Sequence, residues 1–263
     1  MSRAEGILRR DLANASGVSR IGMIVPSSNT TMETELPELF RRQSERTGHQ
    51  YTFHSARATL KKVTAEELAV MAGKAAECSV AVSDAHVDVI AYACLVAVMA
   101  QGPGAHAGAE ELIARAAAGN GHPAPVTSSA GALVRALAEL GARNVVMVTP
   151  YLPALTKMVR DYLEAADITV RDVVSLGVAD NLEVGRLDQL KLPEIARSLE
   201  RDGVDAVILR ADAVPGRDPK SRRRVGPACH HGGDRDRLRD PQGPRASTRN
   251  FRCRAIARRN PAS

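Results

Sequence analysis

Cys94 is the residue in this sequence whose surroundings most suggest chemistry. It closes the apolar run VDVIAYAC at 87–94 and is followed by a loop and then helical sequence. A thiol at the end of a strand, facing backbone dipoles, is a candidate nucleophile once ionised. A buried core cysteine fits the same position, since free cysteine is among the most buried residue types. Other polar residues also follow apolar runs. Asn29 ends Pro26-Ser27-Ser28-Asn29, Tyr151 follows Thr149-Pro150, and Asn181 follows Asp180. Asn29 reads as an Asx turn or cap before Met32, or as an amide donor to a carboxylate. The two uses are compatible, because a helix start is itself an anion site. Tyr151 and Asn181 read locally as loop residues. Hydroxyls, amides and one thiol make a set suited to small polar anions held by neutral donors.

Other candidates are weaker. Cys78 lies in an Ala-rich helical stretch and reads as core. Gln101 to His106 is Gly-rich but follows no phosphate-loop pattern, so it reads as a tight connection. Cys229, His230, His231 and Cys253 match no zinc spacing. No metal is expected.

The elements that must position these residues alternate. Strand patterns fall at 20–25, 51–56, 87–94, 125–127, 144–149, 169–176 and 204–209. Helical patterns fall at 32–44, 64–82, 109–118, 130–140, 153–165 and 193–201. Thr64 opens a capping-box pattern, and Ser128 and Ser129 are candidate caps. The order predicts an α/β fold of parallel sheets. Ligands of such sheets sit beyond the carboxyl ends of the strands, where the polar residues above lie. The pairs VDVI at 87–90 and VDAVI at 204–208 suggest two similar halves.

Composition limits the function. The chain has 263 residues, 3% of them aromatic and none Trp, so stacking platforms for bases are scarce. The net charge of +6 hides a split. Residues 210–263 hold 15 basic residues against 5 acidic, and residues 1–209 hold 21 against 25. No run is long and apolar enough to span a membrane, and the N-terminus lacks a signal-peptide core. Four cysteines are too few for a disulfide framework. The expectation is a cytoplasmic protein with a flexible leader (1–19), a first α/β half (20–126), a truncated second half (127–209) and an irregular basic tail (210–263).

RIGMIVPSSNTTMETELP (20–37) and YACLVAVMAQGPGAH (92–106) resemble the maleate cis-trans isomerases of the aspartate/glutamate racemase superfamily. TSSAGALVRAL (127–137), VTPYLPAL (148–155) and VADNLEVG (178–185) extend the resemblance over about 20–209. It implies two similar α/β halves with the active site in the cleft between them, no cofactor, and a homodimer. It also implies that Cys94 adds to maleate and that fumarate is released. Asn29, Tyr151 and Asn181 match carboxylate-binding positions, with Leu95 and Val96 as backbone contacts beside the nucleophile. A racemase or decarboxylase acting on a related small acid is the alternative within the superfamily.

The sequence departs from that family after Leu209. The family continues with a second catalytic cysteine, whereas here Arg210-Ala211-Asp212-Ala213 follows. Of the 54 residues from 210, five are Val, Leu, Ile or Phe and 11 are Gly or Pro. Such a segment cannot bury enough surface to offset its chain entropy, so it is expected to be disordered. Read one nucleotide later, its codons permit Cys-Val-Gln-Met-Pro-Ser-Leu and then an amphipathic helix. The tail is therefore expected to be a frameshifted translation, and activity to suffer with it. A different class of function remains, non-enzymatic nucleic-acid binding through the basic tail.

Overall fold

The computed structural model describes residues 18–188, 191–200 and 202–209, together with the backbone of 255–256. The leader before Val18 and the rest of the tail, with its expected disorder and its Cys and His residues, lie outside the described residues.

The fold is α/β, with two four-stranded sheets. The first sheet contains β1 (Val18–Pro26), β2 (Gln50–Ala58), β3 (Val89–Tyr92) and β4 (Val126–Ser128), in the order β2-β1-β3-β4, all parallel. The second contains β5 (Asn144–Thr149), β6 (Thr169–Ser175), β7 (Ala206–Leu209) and β8 (Ala255–Ile256), in the order β6-β5-β7-β8. Here β5 pairs in parallel with β6 and β7, while β8 runs antiparallel to β7. The first three strands of the two sheets correspond, and the fourth differs in direction.

Local sequence explains the match. Asp88 precedes β3 and accepts from the Arg20 N–H at 2.7 Å. Asp205 precedes β7 and accepts from the Asn144 and Arg143 N–H groups at 2.8 and 2.9 Å. Each aspartate thus ties the start of one strand to the central strand beside it. The backbone repeats the tie, with the Asp88 and Asp205 N–H groups each donating at 2.8 Å to Arg20 and Asn144.

Strand alternation assigns the faces. In β1, Ile21, Met23 and Val25 pack outward under Phe40, while Ile24 faces the large central core. Phe40 belongs to α1 (Met32–Thr47). In β5, Val145 and Met147 join the central core, while Val146 and Val148 pack against Leu192 and Leu199. Leu192 opens α9 (Leu192–Arg197). Both faces of each sheet are covered, which is why the strands read as continuous apolar runs. The central core contains residues of both halves, including Leu68, Ile113, Leu133 and Tyr162.

Several expected boundaries move. The long helix over 64–82 is broken into α2 (Ala65–Gly73) and α3 (Ala75–Ser83) at Lys74. Gly73, a poor helix former, precedes the break. The strand expected over 87–94 is shorter, because a helical turn, α4 (Leu95–Met99), begins directly after Cys94. The next helix, α5 (Ala105–Gly119), begins earlier than expected and includes His106. The remaining helices are α6 (Ser129–Leu140), α7 (Pro153–Glu164) and α8 (Asn181–Val184). No helix among the described residues is long and apolar enough to cross a membrane.

Candidate active site

The expected site residues lie on four loops at the carboxyl ends of strands. Asn29 follows β1, Cys94 follows β3, Tyr151 follows β5 and Asn181 follows β6. All four are buried, at 6%, 4%, 3% and 8% exposure. Buried polar residues at the carboxyl ends of strands are where a small ligand of such sheets is expected.

Cys94 is placed by the register of β1 and β3. Ile24 pairs with Tyr92, and the Ala93 N–H donates to the Ile24 carbonyl at 2.8 Å. Cys94 therefore emerges beside the Pro26–Asn29 loop. It caps α4, so the first-turn N–H groups of Leu95 and Val96 lie next to its thiol in the chain, without an acceptor inside the helix. Cys94, Leu95, Val96 and Tyr151 belong to one buried cluster. Cys78, in α3, is a buried thiol as expected, and burial pushes it above the ordinary cysteine range.

Asn29 performs the local role expected of it. Its Oδ1 accepts from the Thr31 and Met32 N–H groups at 3.0 and 2.9 Å, an Asx turn that starts α1. With Oδ1 committed to the helix, Nδ2 is the end of the amide that can donate to a ligand. Arg57 donates to the Asn29 carbonyl and pairs with Glu33 at 2.7 Å, placing a cation behind this loop.

Asn181 comes from the second half and is docked on the first. Its N–H donates to the Lys61 carbonyl at 3.2 Å, and the Val63 N–H donates to the Ala179 carbonyl at 2.8 Å. Its Nδ2 donates to Ser28 Oγ at 2.9 Å, and Ser28 donates to the Leu60 carbonyl. Asp180 caps α8 by accepting from the Leu182 and Glu183 N–H groups. Tyr151 is held through its backbone. Its carbonyl accepts from the Gly177 N–H at 3.1 Å and from Ser175 Oγ, which belongs to a buried chain with Thr156 and Thr149.

His106 is not brought to Cys94. Its ring bonds the Tyr162 hydroxyl of α7, joining the two halves. Nearby, Glu110 accepts from the N–H and hydroxyl of Ser128 at 2.8 and 2.7 Å and pairs with Arg135 at 3.3 Å. Ser128 caps α6, as the sequence suggested. Among the described residues, no three His, Cys, Asp or Glu side chains gather as a metal site.

Sequence reasoning missed Ser28, Arg57 and the Leu60–Val63 loop as supports of the site. Ser28 was visible as a hydroxyl after a strand. The other two act through contacts distant in sequence, and no local pattern marked them.

A family model described as arylmalonate decarboxylase matches residues 21–214. A maleate isomerase from Alcaligenes faecalis is 51% identical over 193 residues, 73% of this chain and 76% of the relative. The crystal structure of a cysteine-to-alanine maleate isomerase from Pseudomonas putida S16 with maleate is 44% identical. It superposes with a TM-score of 0.73, covering 75% of this chain and 80% of that one. A Nocardia farcinica maleate cis-trans isomerase, a cysteine-to-serine mutant with a covalently bound succinylcysteine intermediate, is also 44% identical. Its TM-score is 0.72, covering 76% of this chain and 80% of that one.

Proposed function

We propose, for a chain that belongs to the maleate isomerase family, that Cys94 adds to maleate and that the reaction stalls in this polypeptide at the adduct. The observation behind this reading is the buried thiol at the end of the strand paired with β1, whose following loop is bonded by Asn181 from the other half.

The chemistry follows from the parts. The Cys94 thiolate attacks one alkene carbon, a C–S bond forms, and the π bond breaks. Its electron pair moves to the neighbouring carbon and is delocalised into the adjoining carboxyl group. A proton then gives a succinyl thioether, whose central bond is single and rotates. Loss of that proton and of the thiolate restores the double bond as the trans isomer, fumarate. Covalent catalysis of this kind replaces one hard step by easier ones. Asn29 and Asn181 hold the two carboxylates through their amides, Tyr151 adds a hydroxyl, and the Leu95 and Val96 N–H groups lie beside the nucleophile. No step calls for a cofactor. The cytoplasm, where thiols stay reduced, suits a nucleophilic cysteine, and the working form is a homodimer.

The first proton can come from water, but taking a proton off again to expel the thiolate needs a partner on the other half. In the internal correspondence of the sheets, Tyr92 pairs with Ile24 as Leu209 pairs with Val148. Cys94 stands two residues after Tyr92, whereas Ala211 stands two residues after Leu209. A thiol is missing where the second half would supply one. The Nocardia relative, with one cysteine changed to serine, holds a succinylcysteine, which supports the idea that such a chain accumulates the adduct. The frameshift accounts for the loss.

Incubation with maleate followed by intact-protein mass measurement tests the reading. The expected result is a gain of one maleic acid per chain, mapped to the Cys94 peptide and absent in Cys94→Ser, with little fumarate in solution. Family-level turnover by this polypeptide would overturn the claim of impairment. Absence of both adduct and turnover would overturn the nucleophile assignment.

A further inference from the structure

We propose that Ser28 is a positioning residue that sets the amide of Asn181 against that of Asn29, and so fixes the span over which a dicarboxylate is held. This rests on the reading in which those two amides bind the carboxylates.

The argument starts from proton counting. A serine hydroxyl has one proton and two lone pairs. The Ser28 proton goes to the Leu60 carbonyl, so toward Asn181 the oxygen can only accept. The 2.9 Å contact must therefore come from Asn181 Nδ2, which orients the amide unambiguously. An amide nitrogen has two protons. One is committed to Ser28, and the other is the one a carboxylate can take.

The anchor itself is firm. Leu60 is 1% exposed. Its N–H donates to Ser27 Oγ at 3.1 Å, and the Ser27 N–H donates to the Ala58 carbonyl at 2.7 Å. The loop after β1 is thus stitched to the loop after β2. Backbone bonds to Lys61 and Val63 hold the Asn181 segment in place, but they do not orient its side chain. Among the described residues, the Ser28 bond is the contact that does. Ser28 also adjoins Asn29, whose Oδ1 is committed to α1. Two donors from opposite halves are therefore referenced to adjacent residues of one loop. None of these contacts involves a residue beyond Leu209, so dicarboxylate binding should survive the departure of the tail.

The test uses the full chain. Maleate should protect Cys94 from alkylation by iodoacetamide, whether bound or already added to the thiol, and the concentration for half-protection after one fixed short incubation compares its apparent affinity between variants. In Ser28→Ala that concentration should rise about 10-fold, the effect of one lost hydrogen bond at a buried amide. The alkylation rate without maleate should stay near wild type, and the melting temperature should fall by only a few degrees. Ser28→Thr, which keeps the hydroxyl, should restore most of the affinity. Should Ser28→Ala melt far below wild type, the near-isosteric Ser28→Cys takes its place. The second readout is the Asn181 side-chain amide resonance, assigned by its loss in Asn181→Asp. It should exchange slowly in wild type and quickly in Ser28→Ala.

An unchanged half-protection concentration with an unchanged amide resonance overturns the proposal. If maleate fails to protect even the wild type, the dicarboxylate reading fails. The amide resonance then decides alone, fast exchange in Ser28→Ala upholding the role of Ser28 and unchanged exchange ending it.

Discussion

Two buried thiols of the first half, Cys78 and Cys94, sit in different local settings. Cys78 sits within a helix, and burial disfavours its charged form. Cys94 sits where a strand ends and a helical turn begins, and the turn presents its N–H groups there. Tyr92, two residues before it, is 1% exposed and its hydroxyl has no hydrogen-bond partner among the described residues. Burial, and secondarily the neighbouring Cys94 thiol, pushes its ionisation above the usual tyrosine range. A buried hydroxyl left unpaired costs about 1–3 kcal/mol. Tyr92→Phe should therefore be neutral or stabilising, by up to about 1 kcal/mol in urea unfolding. A clear loss of stability would show that an ordered water serves the hydroxyl. Asn29→Ala should behave oppositely, costing about 1–2 kcal/mol through the start of α1, besides weakening maleate protection.

Elements are fixed by a few anchors, and two of these can be tested. Asp205 is held below the usual aspartate range by the Asn144 and Arg143 N–H groups. A depressed carboxylate contributes stability above its unfolded pKa of about 3.9, and loses it as pH falls through the folded value. Asp205→Asn should thus cost more stability at pH 7 than at pH 3, which paired urea titrations would measure. An equal cost at both would mean that the charge is immaterial to the start of β7. Gly131, in α6, is crossed by side chains of the junction between halves. A methyl there would meet Glu110, and would lie 2.9 Å from Arg135 Nη1 and 3.0 Å from His106 Cδ2. Glu110 is pinned by Ser128 and cannot easily give way. Gly131→Ala should destabilise by about 1–3 kcal/mol, read as a lower melting temperature.

At the scale of the molecule, the two sheets correspond through three strands and part at the fourth. The first sheet ends in a parallel β4 that leads into α6, whereas β8 is two residues long and antiparallel. Replacing residues 210–263 by the polypeptide of the shifted frame should restore fumarate formation and raise the unfolding free energy by several kcal/mol, since a second-half thiol and a packing helix would return. A gene whose shifted frame encodes neither would end the frameshift explanation. The net charge of +6 then tells little about partners, because residues 1–209 are mildly acidic.

Much of this was legible without coordinates. Strands buried on both faces are apolar throughout, helices show their caps, and a cysteine after a strand marks itself. Thr64 and Ser128 cap as their spacing suggested, and Asn29 makes the turn its neighbours imply. These are local properties, set by residues a few positions apart. The break at Lys74, the turn after Cys94 and the helix at Asn181 escaped notice, because short helices and helix breaks leave little periodicity. Ser28 and Asn181 lie 153 positions apart and meet only because two sheets share one core. The sequence by itself therefore determined the α/β alternation, the cysteine directly after the third strand and the lack of one directly after Leu209. Only the tertiary structure decided which hydroxyl orients which amide, since that depends on the packing of one half against the other, and no local pattern encodes it.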